Sequence, residues 1–110
     1  MIKQRAILLV PFPFSDQSGN KVRPVLVLSN DEYNKFSDDI LVCAITSNLK
    51  TGRHSIFIDQ NNLENGALYQ KSCIKIDSIL KISKNRGIKE IGVLNKTSFH
   101  KVLGRIKDIF

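Results

Sequence analysis

Apolar residues come in short runs separated by turn formers, and only the last run has helical spacing. Ala6 to Phe12, AILLVPF, is a continuous apolar stretch, the pattern of a strand buried on both faces. Pro13 to Val22 is rich in Pro, Ser, Asp, Gly and Asn. At about ten residues it exceeds the usual hairpin connection of about 2 to 5. Pro24 to Ser29 predicts a second strand, opened by a proline that has no N–H to give a ladder. Asn30 to Asp39 is polar and acidic, a surface connection with room for one helical turn. Ile40 to Ile45, ILVCAI, predicts a third buried strand that empties into Thr46-Ser47-Asn48. Thr51-Gly52 turns the chain, Ser55 to Asp59 suits an edge strand, and Gln60 to Gly66 is a turn. Ala67 to Tyr69 and Ser72 to Asp77 make one bent strand or two. In the second piece Cys73, Lys75 and Asp77 alternate with Ile74 and Ile76, as in a half-exposed strand. Ser78 to Lys84 fits a short strand or a helical turn, and Ile88 to Val93 another short strand. Phe99, Val102, Leu103, Ile106, Ile109 and Phe110 then fall on one helical face, with Asn95 or Thr97 as the cap and Lys101, Arg105 and Lys107 opposite.

Five or more short strands followed by a helix predict a mainly β fold with α: a small β-barrel with a C-terminal helix packed on it. No repeat or linker divides residues 1–110, so one domain is expected. No run approaches the roughly 18 to 20 apolar residues that span a bilayer. The N-terminus has basic residues before an apolar stretch, but Pro11 and Pro13 break it and no small-residue cleavage site follows. A protein without a membrane partner, in the cytoplasm, is expected. Cys43 and Cys73 lie in apolar runs without CxxC spacing, which suits buried thiols. His54 and His100 have no paired spacing, so no metal site is expected.

Charge changes the picture. The net charge is +7, yet the chain up to Gln70 has seven Lys+Arg against seven Asp+Glu. From Lys71 onward there are ten against three, which supplies the whole excess. A basic half suggests an anionic partner, RNA, DNA or an acidic protein; a solubilising face is the plainer alternative.

Candidate chemistry sits at two strand mouths. Arg23 is pressed into extended geometry by Pro24, and a fixed guanidinium at a strand end can clamp a phosphate. Thr46-Ser47-Asn48 closes the third strand. If these strands pair antiparallel, a guanidinium, one or two hydroxyls and a carboxamide share one patch under the loop Pro13–Val22. That set suits a phosphodiester: the cation stabilises oxygens that gain charge and a hydroxyl donates a hydrogen bond. No Cys/His or Ser/His pair favours a covalent intermediate, and no carboxylate cluster favours a divalent metal. RNA brings its own nucleophile, the 2′-OH. His54, between Arg53 and Ser55, has a suitable pKa for a base, although a solvated loop histidine is the plainer account. Asp77 is a second candidate base, but an Asp ending a strand is commonly a turn former.

The ordered set VPFPFSDQSGNKVRPVLVLSN, AITSN, GALYQKSCIKIDSI and the basic terminal helix resembles the MazF/PemK (Kid-like) family of toxin endoribonucleases, over nearly the whole chain. The resemblance implies an SH3-like barrel of the CcdB/MazF kind, a homodimer, and metal- and cofactor-independent, sequence-selective cleavage of single-stranded RNA such as mRNA. The ends left would be a 2′,3′-cyclic phosphate and a 5′-hydroxyl. Arg23 and Thr46 match the family's catalytic Arg and Thr, and Ser47 adjoins them. The RNA-binding set expected around them is Phe14, Ser15, Asp16, Ser18 and Lys21 from the loop, with Asn48, Arg53, His54, Lys75 and Asp77. The implied partner is a cognate antitoxin whose acidic, disordered C-terminal segment covers the RNA groove. Many relatives have Gly-Asp where this chain has Arg5-Ala6, and some carry a loop histidine that it lacks. Two other functions remain open on sequence: a CcdB-like poison that binds DNA gyrase, and a catalytically silent RNA-binding barrel.

Overall fold

The computed structural model describes residues 1–13, 20–50, 52–86 and 88–110. Among these residues seven strands form one sheet: β1 (Ala6–Pro13), β2 (Asn20–Val27), β3 (Asp39–Thr46), β4 (Ser55–Ile58), β5 (Leu63–Gly66), β6 (Ser72–Ser83) and β7 (Lys89–Leu94). Their order is β4-β6-β3-β2-β1-β7-β5, and every pair is antiparallel. Helix α1 (Asp31–Phe36) links β2 to β3, a 3-10 turn (Gln60–Asn62) links β4 to β5, and α2 (Lys96–Lys107) follows β7.

Both sheet faces are apolar. On one, Ile7, Leu26, Cys43, Ile45, Ile56, Ile58, Ile74, Ile76 and Leu94 pack with Phe99 and Val102 of α2. Burying each of these two helix side chains is worth about 1.5–3 kcal/mol, which holds α2 against the sheet. Asn95 caps α2 by accepting the Ser98 N–H, as the sequence allowed. On the other face Ala6, Leu8, Val10, Val25, Val27, Ile40 and Val42 pack with Ile2, Ile82 and Ile88. The continuous apolar runs of β1, β2 and β3 follow from this two-sided burial.

Four segments differ from the periodicity. The second strand starts at Asn20 rather than Pro24, because β1 supplies a partner for each residue from Asn20 to Leu26. Gln60 to Gly66 is not only a turn: Leu63–Gly66 adds an edge strand against β7. This pairing is close, since a Cβ on Gly66 (φ +88°) would stand 2.3 Å from the Gly92 Cα. Ala67 to Tyr69 is not strand. Finally, β6 runs unbroken from Ser72 through Ser83, absorbing the ambiguous stretch after Ser78. It does so through a bulge: Lys75 pairs with Ala44, and the next pair is Ile79 with Cys43. Bulged residues bend a strand and escape simple alternation.

α1 is anchored by a buried polar knot. The Ser29 hydroxyl donates to Asn34 Oδ1 and accepts the Leu41 N–H, while Asn34 Nδ2 donates to the Ser29 carbonyl. Each of these buried groups is thereby satisfied, as burial requires.

Candidate RNA-binding cleft at the open end of the β2–β3 ladder

Pro24 shapes the site. Pairing of β1 with β2 continues through Leu9 and Pro24 to Pro13 and Asn20. A proline fits an unbroken ladder only where no N–H is needed, which turns its nitrogen toward β3. On that side pairing stops: the β2–β3 ladder covers Val27–Val42, Leu26–Cys43 and Val25–Ala44. Continuing the register two residues brings Arg23 opposite Thr46, with no backbone ladder between them.

Two cavities meet at this gap. One, of about 230 Å³, is lined by Arg23, Pro24, Ala44, Ile45, Thr46, Lys75 and Ser78. Strand alternation puts Arg23, Ala44, Thr46 and Lys75 on the face away from α2, since Lys75 pairs with Ala44 and Val25 is in that face's core. The other cavity, of about 480 Å³, lies toward α2 and is walled by Val22, Arg23, Thr46 and Ser47 on one side and by Leu68, Tyr69, Gln70 and Ser72 on the other. Arg23 and Thr46 line both.

Thr46 is held by its own turn. Its hydroxyl oxygen accepts the Asn48 N–H at 3.1 Å, and Asn48 Oδ1 accepts the Lys50 N–H at 3.0 Å. A hydroxyl has one proton and two lone pairs, so Thr46 can still donate to a ligand in the gap. Arg23 and Lys75 are half-buried, and their proximity gives the gap a positive potential.

Of the sequence-predicted residues, the structure brings together Arg23, Thr46, Ser47 and Lys75. Asn48 lines neither cavity, and its Oδ1 accepts the Lys50 N–H of the turn. Arg53 and His54 are exposed, and Arg53 offers its carbonyl to Arg105 of α2. His54 binds β6 through its carbonyl, which accepts the Ile76 N–H. Asp77 is exposed within the β6 bulge. Arg53, His54 and Asp77 line neither cavity. Lys21 lies on β2 opposite Phe12, and Phe14, Ser15, Asp16 and Ser18 fall outside the described residues. Sequence reasoning missed Ser78 and the wall Leu68-Tyr69-Gln70. The bulge brings in Ser78, and assigning Tyr69 to a strand concealed its place; an aromatic amid the polar residues of GALYQKS was the available signal. Among the described residues no three His, Cys, Asp or Glu side chains converge.

The fold and this cleft define a curled antiparallel half-barrel with a C-terminal helix and a gap lined by two cationic side chains at one end of its sheet. The chain belongs to the PemK-like, MazF-like toxins of type II toxin–antitoxin systems, whose family model matches residues 3–110. It is similar in structure to MazF in a MazE–MazF crystal form from Deinococcus radiodurans, with a TM-score of 0.79 and 17% identity over 98% of this chain and 94% of that one. Mycobacterium tuberculosis toxin MazF-mt6 gives a TM-score of 0.71 and 22% identity, covering 94% of each chain. An endoribonuclease in complex with its cognate antitoxin from Mycobacterial species gives 0.73 and 13%, over 98% of this chain and 93% of that one. No match emerges among curated protein sequences. The expected mainly β architecture with its C-terminal helix is thus the fold of these toxins.

Proposed function

We propose that this chain is the nuclease toxin of such a pair, cleaving single-stranded RNA by in-line attack of a ribose 2′-OH on the adjacent phosphate. The 2′-oxygen bonds to phosphorus as the bond to the 5′-oxygen breaks. The 2′-hydroxyl proton leaves to water, the 5′-oxygen regains one, and a 2′,3′-cyclic phosphate and a 5′-OH result. The observation that carries this reading is the unladdered gap in which Arg23 faces Thr46 with Lys75 beside them. In that gap Arg23 would hold the nonbridging oxygens through its planar fork as charge builds on them. A guanidinium donates hydrogen bonds and accepts none, so Arg23 would serve as a stabiliser of charge and not as a base. Thr46 would donate a hydrogen bond to the same oxygens, Ser47 would position the neighbouring ribose, and Lys75 would add charge toward the flanking phosphate. The chemistry requires no metal, because the nucleophile belongs to the substrate.

Cleavage of mRNA in the cytoplasm would arrest translation and growth. The basic excess after Lys71 suits RNA and equally an acidic antitoxin segment as inhibitor. Relatives crystallised as MazE–MazF complexes support a cognate antitoxin as partner, and the toxin would act as a homodimer of single-domain chains.

The test is digestion of a long RNA by the purified protein in EDTA, with mapping of fragment 5′ ends. Discrete fragments with 5′-OH ends are expected, and none from Arg23→Ala. Growth arrest with intact RNA would point instead to a gyrase-binding poison. RNA binding with neither fragments nor arrest would point to a silent barrel.

A further inference from the structure

We propose that Tyr69 is a specificity-determining base platform: its ring stacks on one nucleobase of the RNA, on the α2 side of the Arg23–Thr46 gap. The inference rests on the nuclease reading above and adds to it the residue that receives a base.

Tyr69 is 95% exposed, an unusual state for an aromatic side chain. The surrounding loop is nonetheless tied down. Ala67 donates its N–H to the Ile91 carbonyl at 3.0 Å, and Leu68 donates its N–H to Gln60 Oε1 at 2.8 Å. The Gln60 amide in turn donates to the Gly66 carbonyl at 3.1 Å. On the far side the Ser72 hydroxyl donates to the Gln70 carbonyl at 3.0 Å. Leu68 packs against the core. The backbone is thus fixed on both sides of a ring left in water. Of the exposed aromatics among the described residues, Tyr33, Phe36, Phe57, Tyr69 and Phe110, only Tyr69 lines a cavity that contains Arg23.

The chemistry that fits such a ring is a nucleobase. Single-stranded RNA is held by splayed bases stacked on aromatic side chains, with polar groups reading their edges. Here a phosphate held by Arg23 and Thr46 would leave the adjoining base to enter the 480 Å³ cleft between Ser47 and the ring. Gln70, whose amide both donates and accepts, lines the same wall and can read that base's edge.

The test has two parts. Steady-state cleavage of an oligoribonucleotide carrying the mapped cleavage sequence is measured for wild type, Tyr69→Ala and Tyr69→Trp. Binding is then measured by anisotropy with the same oligonucleotide made uncleavable by one 2′-deoxynucleotide at the scissile position, with each flanking base removed in turn. The expected results are a fall in kcat/KM of about 5- to 150-fold for Tyr69→Ala, carried by KM, and rescue by Tyr69→Trp. One abasic position should weaken wild-type binding and leave Tyr69→Ala binding unchanged. A solvent-facing side chain gives variants with wild-type melting temperatures. Wild-type cleavage with an unaltered KM in Tyr69→Ala, or equal abasic penalties in both proteins, overturns the platform alone. Absence of cleavage by the wild type overturns the nuclease reading and the platform with it.

Discussion

Arg23 and Thr46 face each other two residues beyond the last β2–β3 pair, Val25 with Ala44, in a stretch of sheet that Pro24 keeps from closing. A restored N–H would add a rung and narrow the gap. Pro24→Val is therefore expected to leave the fold intact, hold or raise the melting temperature, and cut cleavage at least tenfold. Thermal unfolding and a cleavage assay on one preparation check both halves.

In the proposed reaction Thr46 would offer a hydrogen bond whose value lies in the transition state. Thr46→Val keeps the shape and removes the hydroxyl. Loss of one such donor costs about 10²–10³ in kcat. Thr46→Ser keeps the donor and should retain most of the activity. Single-turnover kinetics at saturating enzyme isolate this step, and an unchanged rate for Thr46→Val would remove Thr46 from the mechanism.

In the proposed function Lys75 would meet a phosphate and not a base edge. Its contribution should therefore be sequence-independent and sensitive to salt. Lys75→Gln is expected to weaken binding of an uncleavable oligoribonucleotide and to lower the slope of log K against log salt by about 0.7. Titrations between low and moderate salt measure this slope directly.

Arg5 occupies φ +77°, a region that costs a non-glycine residue of order 1–3 kcal/mol. Its guanidinium offsets the strain by donating to the Leu94 carbonyl at 2.8 Å and pairing with Glu64 at 3.0 Å. Arg5→Ala keeps the strain and loses both bonds, so a destabilisation of about 1–2 kcal/mol is expected. Arg5→Gly relieves the strain and should lie within about 1 kcal/mol of wild type. Urea unfolding of the three proteins ranks them.

Cys43 is buried in the core facing α2, and desolvation pushes its thiol up to about 12. The folded state thus keeps a proton that the unfolded state gives up from about pH 9. Stability from this group is complete below pH 9 and falls by up to about 1.4 kcal/mol per pH unit as pH rises toward 12. Cys43→Ala, less stable at neutral pH through its cavity, should lose less stability between pH 9 and 11 than wild type. Parallel alkaline unfolding curves for the two proteins would exclude this contribution.

The strands of the sequence were legible where burial is two-sided, since continuous apolar runs such as AILLVPF and ILVCAI have one dominant explanation. The terminal helix and its Asn95 cap were legible from a 3.6-residue period and a capping side chain. Edge and bulged segments were not: β5 is Leu63-Glu64-Asn65-Gly66, a turn-like composition made strand by pairing with β7. Arg23 and Thr46 could be named from local chemistry and family pattern, because both are fixed by short-range neighbours, Pro24 and Asn48. By itself the sequence determined the mainly β class, the two-sided burial of the central strands and the terminal helix, and it nominated Arg23 and Thr46 as candidates to meet a phosphate. Tertiary structure alone decided that Ser78 joins Lys75 at the gap while Asp77 stays outside it, because the bulge between Lys75 and Ile79 changes which way side chains point. It also decided that Tyr69 stands at the cleft, because Gln60, far along the chain from Arg23, ties down the loop that presents it.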